Sequence, residues 1–144
     1  LRLAQVNAAF AGVDARICRS DGLEGVAPGF DLAIANPPFI FAEGQPVYRN
    51  GGAMLGAELS LHWAEEAAAA LAPGGAFLLY TGSTIVGGRD RLKEELQARL
   101  PGLGASLRYA EIDPDIFGEE LETSGYATAE RIAAIGPVIE PPQV

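Results

Sequence analysis

The sequence predicts an α/β fold with a mostly parallel sheet that a carboxyl-terminal antiparallel hairpin closes. Two continuous apolar runs, residues 30–36 and 76–81, are typical of parallel strands covered on both faces. An alanine-rich segment with helical periodicity lies between these runs. Two further apolar segments, residues 107–112 and 127–139, are expected to pair with each other as the hairpin.

The length and composition are typical of one domain, residues 1–144, with a proline-rich tail at 140–144. Hydrophobic residues make up 49% of the chain, which is enough to form a core. The single cysteine, Cys18, excludes an internal disulfide and suits a reducing compartment. No apolar run reaches the roughly 18 residues that suggest a membrane span. We therefore expect a cytoplasmic protein with no membrane partner.

The charge balance gives no support for nucleic acid binding by these residues. The formal net charge is −9, with 10 Lys and Arg against 19 Asp and Glu. The densest basic group, Arg89, Arg91 and Lys93, is interrupted by acidic side chains. Such a stretch does not form a surface that follows a phosphate backbone.

The first thirty residues predict a helix followed by a short strand. Apolar residues recur there at helical spacing, and Gly12 is a suitable end for the helix. These apolar residues are Leu3, Val6 and Phe10. Residues 13–20 are expected to form a strand, which Asp21 follows at its carboxyl end.

The run from Phe30 to Phe39 predicts a buried strand that ends in a stiff corner. Pro37 and Pro38 end the strand because neither can donate a backbone hydrogen bond. Each proline also keeps the preceding residue extended, so Asn36 should present its side chain at the strand's carboxyl end. In open α/β sheets, ligands bind at that end.

The corner offers groups that suit a flat, neutral nitrogen nucleophile. The lone pair of an amide or exocyclic amine is delocalised, so such a nitrogen attacks poorly. The Asn36 carbonyl and a backbone carbonyl near Pro37 would orient it and favour the charge that develops during attack. The Phe39 ring would stack on the planar group. The alternative is a Pro-Pro turn that only leads the chain out of the sheet.

The run Asn36-Pro37-Pro38-Phe39 resembles the Asn-Pro-Pro-Tyr/Phe motif of class I S-adenosylmethionine-dependent methyltransferases that modify planar nitrogens. The resemblance is to the small group that includes release-factor glutamine and ribosomal-RNA guanine-N2 methyltransferases. It implies that Asn36 and the following proline carbonyl hold the target nitrogen, and that Phe39 packs on it. It also implies a Rossmann-like methyltransferase fold.

The same resemblance implies cofactor-binding residues. The position of Asp21 is similar to that of the family acid that receives the adenine amino group of S-adenosylmethionine. Leu23 would then pack on the adenine ring, and Asn36 would lie beside the cofactor as well as the substrate. The alternative for Asp21 is a turn-forming residue before a glycine, which is equally consistent with the residues.

A loop at residues 40–54 follows the corner. Its segment Tyr48-Arg49-Asn50-Gly51-Gly52 resembles the arginine- and glycine-containing segment that follows the motif in glutamine methyltransferases. The resemblance suggests a lid or a substrate contact by Arg49. A surface loop with a solvated arginine is the alternative.

The next predicted helix has an apolar stripe and is expected to end at residues 73–75. The stripe comprises Leu55, Leu59, Trp63, Ala67, Ala70 and Leu71. We expect Trp63 to lie in the core. His62, the only histidine, is expected at the boundary, because one histidine without suitably spaced ligands does not make a metal site. The order strand, motif, loop, helix and strand matches the family from its fourth to its fifth strand.

The last sixty residues predict a turn, a helix and the hairpin. Residues 82–88 are expected to form a flexible turn, and Asp90 to cap a helix that buries three leucines. These are Leu92, Leu96 and Leu100. The acidic residues between the two hairpin strands are expected to be solvated.

The family's glycine-rich turn and the acid that ends its second strand have no counterpart in the sequence. The resemblance therefore implies a partial domain, strands three to seven, with the first two strands absent. We expect an exposed edge at residues 32–34. The fragment should then associate through that edge, rearrange its first thirty residues or stay partly mobile there. We also expect weak binding of S-adenosylmethionine by the isolated chain, or none.

The resulting hypothesis is an N-methyltransferase that transfers a methyl group directly to a planar nitrogen. The fragment alone is expected to be inactive. A protein glutamine or small-molecule amide is favoured as acceptor over an RNA base. The alternative is a non-catalytic scaffold or interaction module derived from half of a methyltransferase domain. A dehydrogenase is less consistent, because it would not explain Asn-Pro-Pro-Phe.

Overall fold

The computed structural model describes residues 1–41 and 50–141. Its α-helices are α1 (Arg2–Ala11), α2 (Glu58–Ala70) and α3 (Arg91–Arg99). Its strands are β1 (Phe30–Ala35), β2 (Leu71–Leu79), β3 (Thr81–Val86), β4 (Arg89–Asp90), β5 (Ser106–Arg108), β6 (Glu111–Asp113), β7 (Arg131–Ile135) and β8 (Val138–Glu140).

The strands form two four-stranded sheets, ordered β1-β2-β8-β5 and β4-β3-β7-β6. The chain passes directly from the first sheet to the second, because only Tyr80 separates β2 from β3. Strand β1 runs parallel to β2, with Ala33 opposite Phe77. The other pairs in the described residues are antiparallel. The α/β class and the carboxyl-terminal antiparallel hairpin are thus confirmed, although its second strand begins at Arg131, after short turns at 124–130. The prediction of a mostly parallel sheet is wrong for the described strands, because β1 and β2 form the one parallel pair among them.

Strand β1 lies at the edge of its sheet, with β2 as its one partner among the described strands. The prediction that both faces of this strand are covered is wrong, because Leu32 is 53% exposed and Ile34 71% exposed. The opposite face, which carries Ala33 and Ala35, packs against the core. The exposed edge that the sequence suggested is therefore present.

The first thirty residues have few contacts with the sheet. Helix α1 ends as predicted at Gly12, which has a left-handed φ of 66°, but none of its residues is buried. Phe10 is 95% exposed. The predicted strand at residues 13–20 is wrong: a strand needs a neighbour for its backbone groups, and none of the described strands lies beside this segment. The chain returns to α2 where the Leu23 N–H donates to Glu66 Oε2 at 3.3 Å.

Most of the fully buried residues of helix α2 lie beside the predicted stripe rather than on it. They are Ser60, Leu61, Ala64, Ala67 and Ala68. Of the stripe, Ala67 is fully buried, the other members are partly buried, and Leu71 packs against the core. The many alanines of this helix make several faces nearly equal in hydrophobicity, and the face that fits the sheet is buried. Trp63 is half-buried rather than part of the core, and its Nε1 is buried without a hydrogen-bond acceptor among the described residues.

The predicted turn at residues 82–88 is wrong, because strand β3 continues to Val86 and pairs with β7. The turn is confined to Gly87 and Gly88. Strand β3 is almost completely buried, and its Thr81 hydroxyl lies 2.7 Å from the Ser60 hydroxyl of α2. Pairing with β7 therefore outweighs the turn preference of Gly82, which lies within β3.

Helix α3 confirms its prediction. Asp90 caps the helix by accepting from the Lys93 N–H at 3.0 Å, and Leu92, Leu96 and Leu100 are fully buried. The Asp90 carboxylate also accepts from the Ser83 hydroxyl and the Tyr109 hydroxyl, both at 2.6 Å. Burial, followed by the bond to Asp90, raises the pKa of Tyr109 well above its ordinary value. This hydrogen-bonded group ties α3 to β3 and to the hairpin.

None of the helices described in residues 1–41 and 50–141 has the length and hydropathy to cross a membrane.

Candidate active site

The Asn36-Pro37-Pro38-Phe39 corner leaves the carboxyl end of β1 as the sequence predicted. The Ala35 carbonyl accepts from the Tyr80 N–H at 3.0 Å, which keeps β1 on the sheet up to its last residue. Pro37 is then buried, whereas Asn36 is exposed. Among the described residues, no partner hydrogen-bonds to the Asn36 side chain.

The Phe39 ring is fixed by two contacts from the carboxyl-terminal half of the chain. A Cβ added at Gly82 would overlap the ring, so the absence of a side chain there makes room for Phe39. The ring also meets Phe117, with centroids 5.7 Å apart and planes inclined by 54°. That tilted geometry is favourable for an aromatic pair. Phe117 has a left-handed backbone with φ 54°.

The backbone after Phe39 is held in place by hydrogen bonds. The Phe41 N–H donates to the Tyr126 hydroxyl at 2.6 Å, and the Gly51 N–H donates to the Ile40 carbonyl at 2.9 Å. Tyr126 is 1% exposed, and burial raises the pKa of its hydroxyl. Tyr126 therefore stays neutral at physiological pH.

The segment that precedes α2 is strained. Met54 and Leu55 have φ values of 57° and 55°, which are unfavourable for residues with a side chain. Two hydrogen bonds hold the segment in this conformation. The Ala53 N–H donates to Glu58 Oε2 at 2.9 Å, and the Thr84 hydroxyl donates to the Leu55 carbonyl at 3.3 Å. Strained backbone of this kind is common at functional sites. The predicted substrate residue Arg49 lies outside the described residues.

The two residues predicted to bind the adenine of the cofactor, Asp21 and Leu23, lie beside two different cavities. Asp21 is exposed and lines a cavity of about 520 Å³ together with Asn50, Glu58 and His62. Its carbonyl accepts from the Glu24 N–H at 3.1 Å, so it also begins a turn. Leu23 lines a smaller, more apolar cavity of about 190 Å³. Among the described residues, Asn36 is not part of the lining of either of these two cavities.

The smaller cavity lies between β1 and α2. Its lining includes Ala33, Ala35, Trp63 and Phe77, so Leu23 reaches the strand that ends in the corner. His62 is exposed, with its Nε2 3.5 Å from Glu66 Oε1. In the part of the chain that the structure describes, no three His, Cys, Asp or Glu side chains are grouped so that they would hold a metal ion.

Three residues around the corner were not singled out by the sequence: Gly82, Phe117 and Tyr126. Gly82 belonged to the turn predicted at residues 82–88, and the two aromatic residues lay in a segment whose acidic residues were expected to be solvated. The only local signal was that two aromatic residues occur in an otherwise polar stretch. Their contacts with residues 39–41 depend on how the hairpin packs.

The sequence is 33% identical over 135 residues to the release factor glutamine methyltransferase of Deinococcus radiodurans. The matched region covers 83% of this chain. The chain spans 43% of the length of that relative. No protein-family model matches the sequence.

Two solved structures share the fold. A methyltransferase from Pyrococcus furiosus matches with a TM-score of 0.58 and 20% identity, over 97% of this chain and 57% of its own. TrmN from Thermus thermophilus matches with a TM-score of 0.57 and 23% identity, over 97% of this chain and 32% of its own. The chain is therefore similar in sequence to a release factor glutamine methyltransferase, over less than half of that protein's length, and it shares the fold of two methyltransferases of known structure.

Proposed function

We propose that this chain is the substrate-binding part of an S-adenosylmethionine-dependent methyltransferase that acts on a planar amide or exocyclic amine nitrogen. The observation that carries the proposal is the exposed amide of Asn36 at the end of β1, followed by the buried Pro37 and the packed Phe39 ring. Similarity to a release factor glutamine methyltransferase supports the same class of reaction.

In the proposed mechanism, Asn36 and the carbonyl of Pro37 accept hydrogen bonds from the target nitrogen, and Phe39 packs on the planar group. These acceptors orient the lone pair and stabilise the positive charge that develops on nitrogen. S-adenosylmethionine, when bound, supplies an electrophilic methyl group. S-adenosylhomocysteine would be the leaving group, and the proton of the methylated nitrogen would pass to solvent. No residue of the chain becomes covalently modified.

We assign Asp21 and Leu23 to the adenine of the cofactor and Asn36 to the neighbourhood of its methyl group. The exposed Asp21 carboxylate beside a cavity of about 520 Å³ is chemically suited to accept from an adenine amino group. Leu23 lines the other, smaller cavity, so its assignment to the same adenine rests on the resemblance alone. Arg49 is assigned to the substrate on the resemblance alone.

The charge near the site favours a protein or small-molecule acceptor over RNA. Residues 113–126 contain five acidic residues and no lysine or arginine. This segment reaches the corner through Phe117 and Tyr126. A polyanion would be repelled by these carboxylates, whereas a neutral amide would not.

The test is methyl transfer from labelled S-adenosylmethionine by the longer protein of which the resemblance implies this chain is a part, which we call the intact protein. A bacterial release factor and a structured RNA are offered as separate acceptors under the same conditions. We expect label on the release factor and little or none on the RNA, because of the acidic surroundings of the site. Label on neither acceptor, at concentrations at which the cofactor binds, would contradict the proposed function.

We also propose that the isolated chain self-associates through the free edge of β1. Leu32 and Ile34 are exposed there, and β2 is the one partner of β1 among the described strands, so this edge is suited to pairing with a second strand. Sedimentation of the 144-residue chain should show dimers or larger species. Ile34→Lys should shift the chain toward monomer, because a charged side chain at an edge opposes pairing.

The matched control is Leu103→Lys, which changes a leucine that is 46% exposed and lies outside the strands. It should leave the association unchanged. A monomeric wild-type chain, or equal effects of the two lysine variants, would show that the edge of β1 does not mediate association.

A further inference from the structure

Phe117 has an unusual position for a large apolar residue. Its ring is 45% exposed, although it contacts the Phe39 ring. Its backbone is left-handed, with φ 54° and ψ 44°, a conformation that a phenylalanine rarely adopts. Strained conformations persist where the surrounding structure holds them, and they are concentrated at functional sites. This combination of strain and exposure suggests that the ring is kept available for a ligand.

The segment that carries Phe117 is anchored on both sides. The Ile116 N–H donates to the Ile132 carbonyl of β7 at 2.7 Å, immediately before Phe117. At the other end, the buried Tyr126 hydroxyl accepts from the Phe41 N–H. The segment 116–126 is therefore attached to the sheet and to the corner that carries Asn36. The position of Phe117 beside Phe39 is thus fixed by the fold rather than by the aromatic contact alone.

The two rings differ in the surface that they offer. Phe39 is half-buried, with Gly82 and Phe117 against its ring. Phe117 keeps almost half of its surface exposed. The centroids are 5.7 Å apart and the ring planes are inclined by 54°, so the two rings contact each other and form one aromatic surface that begins three residues after Asn36 in the chain. An exposed aromatic face offers a stacking contact to a planar group and less contact to a tetrahedral one.

We infer that Phe117 is a specificity-determining residue, and that its exposed ring extends the Phe39 ring into an aromatic surface that selects a planar amide over an aliphatic amine. The inference deepens the proposed function and rests on it. Asn36 contacts the nitrogen of the acceptor, whereas Phe117 contacts the face of the planar group. Loss of the Phe117 ring therefore weakens binding of the acceptor without changing binding of the cofactor.

The experiment measures binding of N-acetyl-glutamine amide, a small planar amide, to the intact protein saturated with S-adenosylhomocysteine, by titration followed with NMR. Phe117→Leu removes the ring, and Phe117→Tyr retains it. We expect the first variant to raise the Kd of the probe about five- to tenfold and the second to change it less than about twofold. The Kd of S-adenosylhomocysteine should stay unchanged in both.

The matched control is Phe10→Leu, which removes an exposed ring far along the chain in α1 and should leave the Kd of the probe unchanged. Butylamine, an aliphatic amine, should bind wild type and Phe117→Leu equally weakly. Equal losses in Phe117→Leu and Phe117→Tyr, or no loss in either, would overturn the inference.

Asn36→Ala separates this inference from the proposed function. If Asn36→Ala weakens binding of the probe and Phe117→Leu does not, the role of Phe117 is refuted and the role of Asn36 stands. If Phe117→Leu weakens binding and Asn36→Ala does not, the aromatic contact stands and the proposed role of Asn36 is refuted. If the wild-type protein does not bind the probe at millimolar concentration, both are refuted.

Discussion

Asn36→Ala should lower the rate of methyl transfer by the intact protein about 100- to 1,000-fold, which is the usual effect of removing one preorganised polar contact to a developing charge. The side chain is exposed at the end of β1 and has no hydrogen-bond partner among the described residues, so its removal leaves the fold intact. Binding of S-adenosylmethionine should change by less than about threefold, because the lost contact is to the acceptor nitrogen. The measurements are steady-state kinetics and calorimetry.

The matched control is Asn7→Ala, which truncates another exposed asparagine, on α1. It should keep the wild-type rate. Thermal unfolding of both variants should match that of the wild type, which shows that a lower rate reflects chemistry. A near-normal rate for Asn36→Ala would mean that this amide does not hold the acceptor.

Asp90→Ala should destabilise the protein by about 2–4 kcal/mol. One carboxylate accepts from the Lys93 N–H, the Ser83 hydroxyl and the Tyr109 hydroxyl, so three donors lose their partner at once. Loss of an N-cap costs about 1 kcal/mol. Each partly buried hydroxyl that loses a charged acceptor costs about 1 kcal/mol or more. The measurement is the free energy of unfolding in urea.

Asp90→Asn should cost less than half as much, because asparagine caps helices well and its amide still pairs with a hydroxyl. The control is Asp14→Ala, an exposed aspartate without a hydrogen bond in the described residues, for which the change should stay below about 0.5 kcal/mol. Equal stability of Asp90→Ala and Asp14→Ala would show that the three hydrogen bonds contribute little.

The parts of the fold that depend on local chemistry could be predicted. The corner at Pro37 and Pro38, the cap at Asp90 and the buried leucines of α3 all follow from residue type and spacing. The strand predicted at residues 13–20 failed because pairing is not a local property. The apolar character of that segment indicates a strand only if another strand lies beside it.

The face of α2 and the length of β3 could not be predicted for a related reason. Alanine-rich helices present several similar faces, and the one that is buried is decided by the sheet beneath it. Gly82 suggested a turn, yet it lies within β3, where the Phe39 ring occupies the space that a side chain would fill. This requirement is visible only after β1 and β3 are assembled.

The candidate site was predicted in part. Asn36 and Phe39 lie in one short motif, so both could be proposed from the sequence alone, and their roles stay predictions. Phe117 and Tyr126 contact residues about eighty positions away, through the packing of the hairpin, and no sequence pattern links them to the motif. The residues expected to bind the cofactor, Asp21 and Leu23, stay predictions.

The most direct measurement is to locate the transferred methyl group on the product by mass spectrometry and NMR. The intact protein is incubated with isotopically labelled S-adenosylmethionine and a release factor. The account predicts one labelled methyl group on the side-chain nitrogen of a glutamine, formed by the wild-type protein and by Asn7→Ala but not by Asn36→Ala. A methyl group on oxygen, sulfur or carbon, or on nitrogen at an undiminished rate in Asn36→Ala, would contradict it.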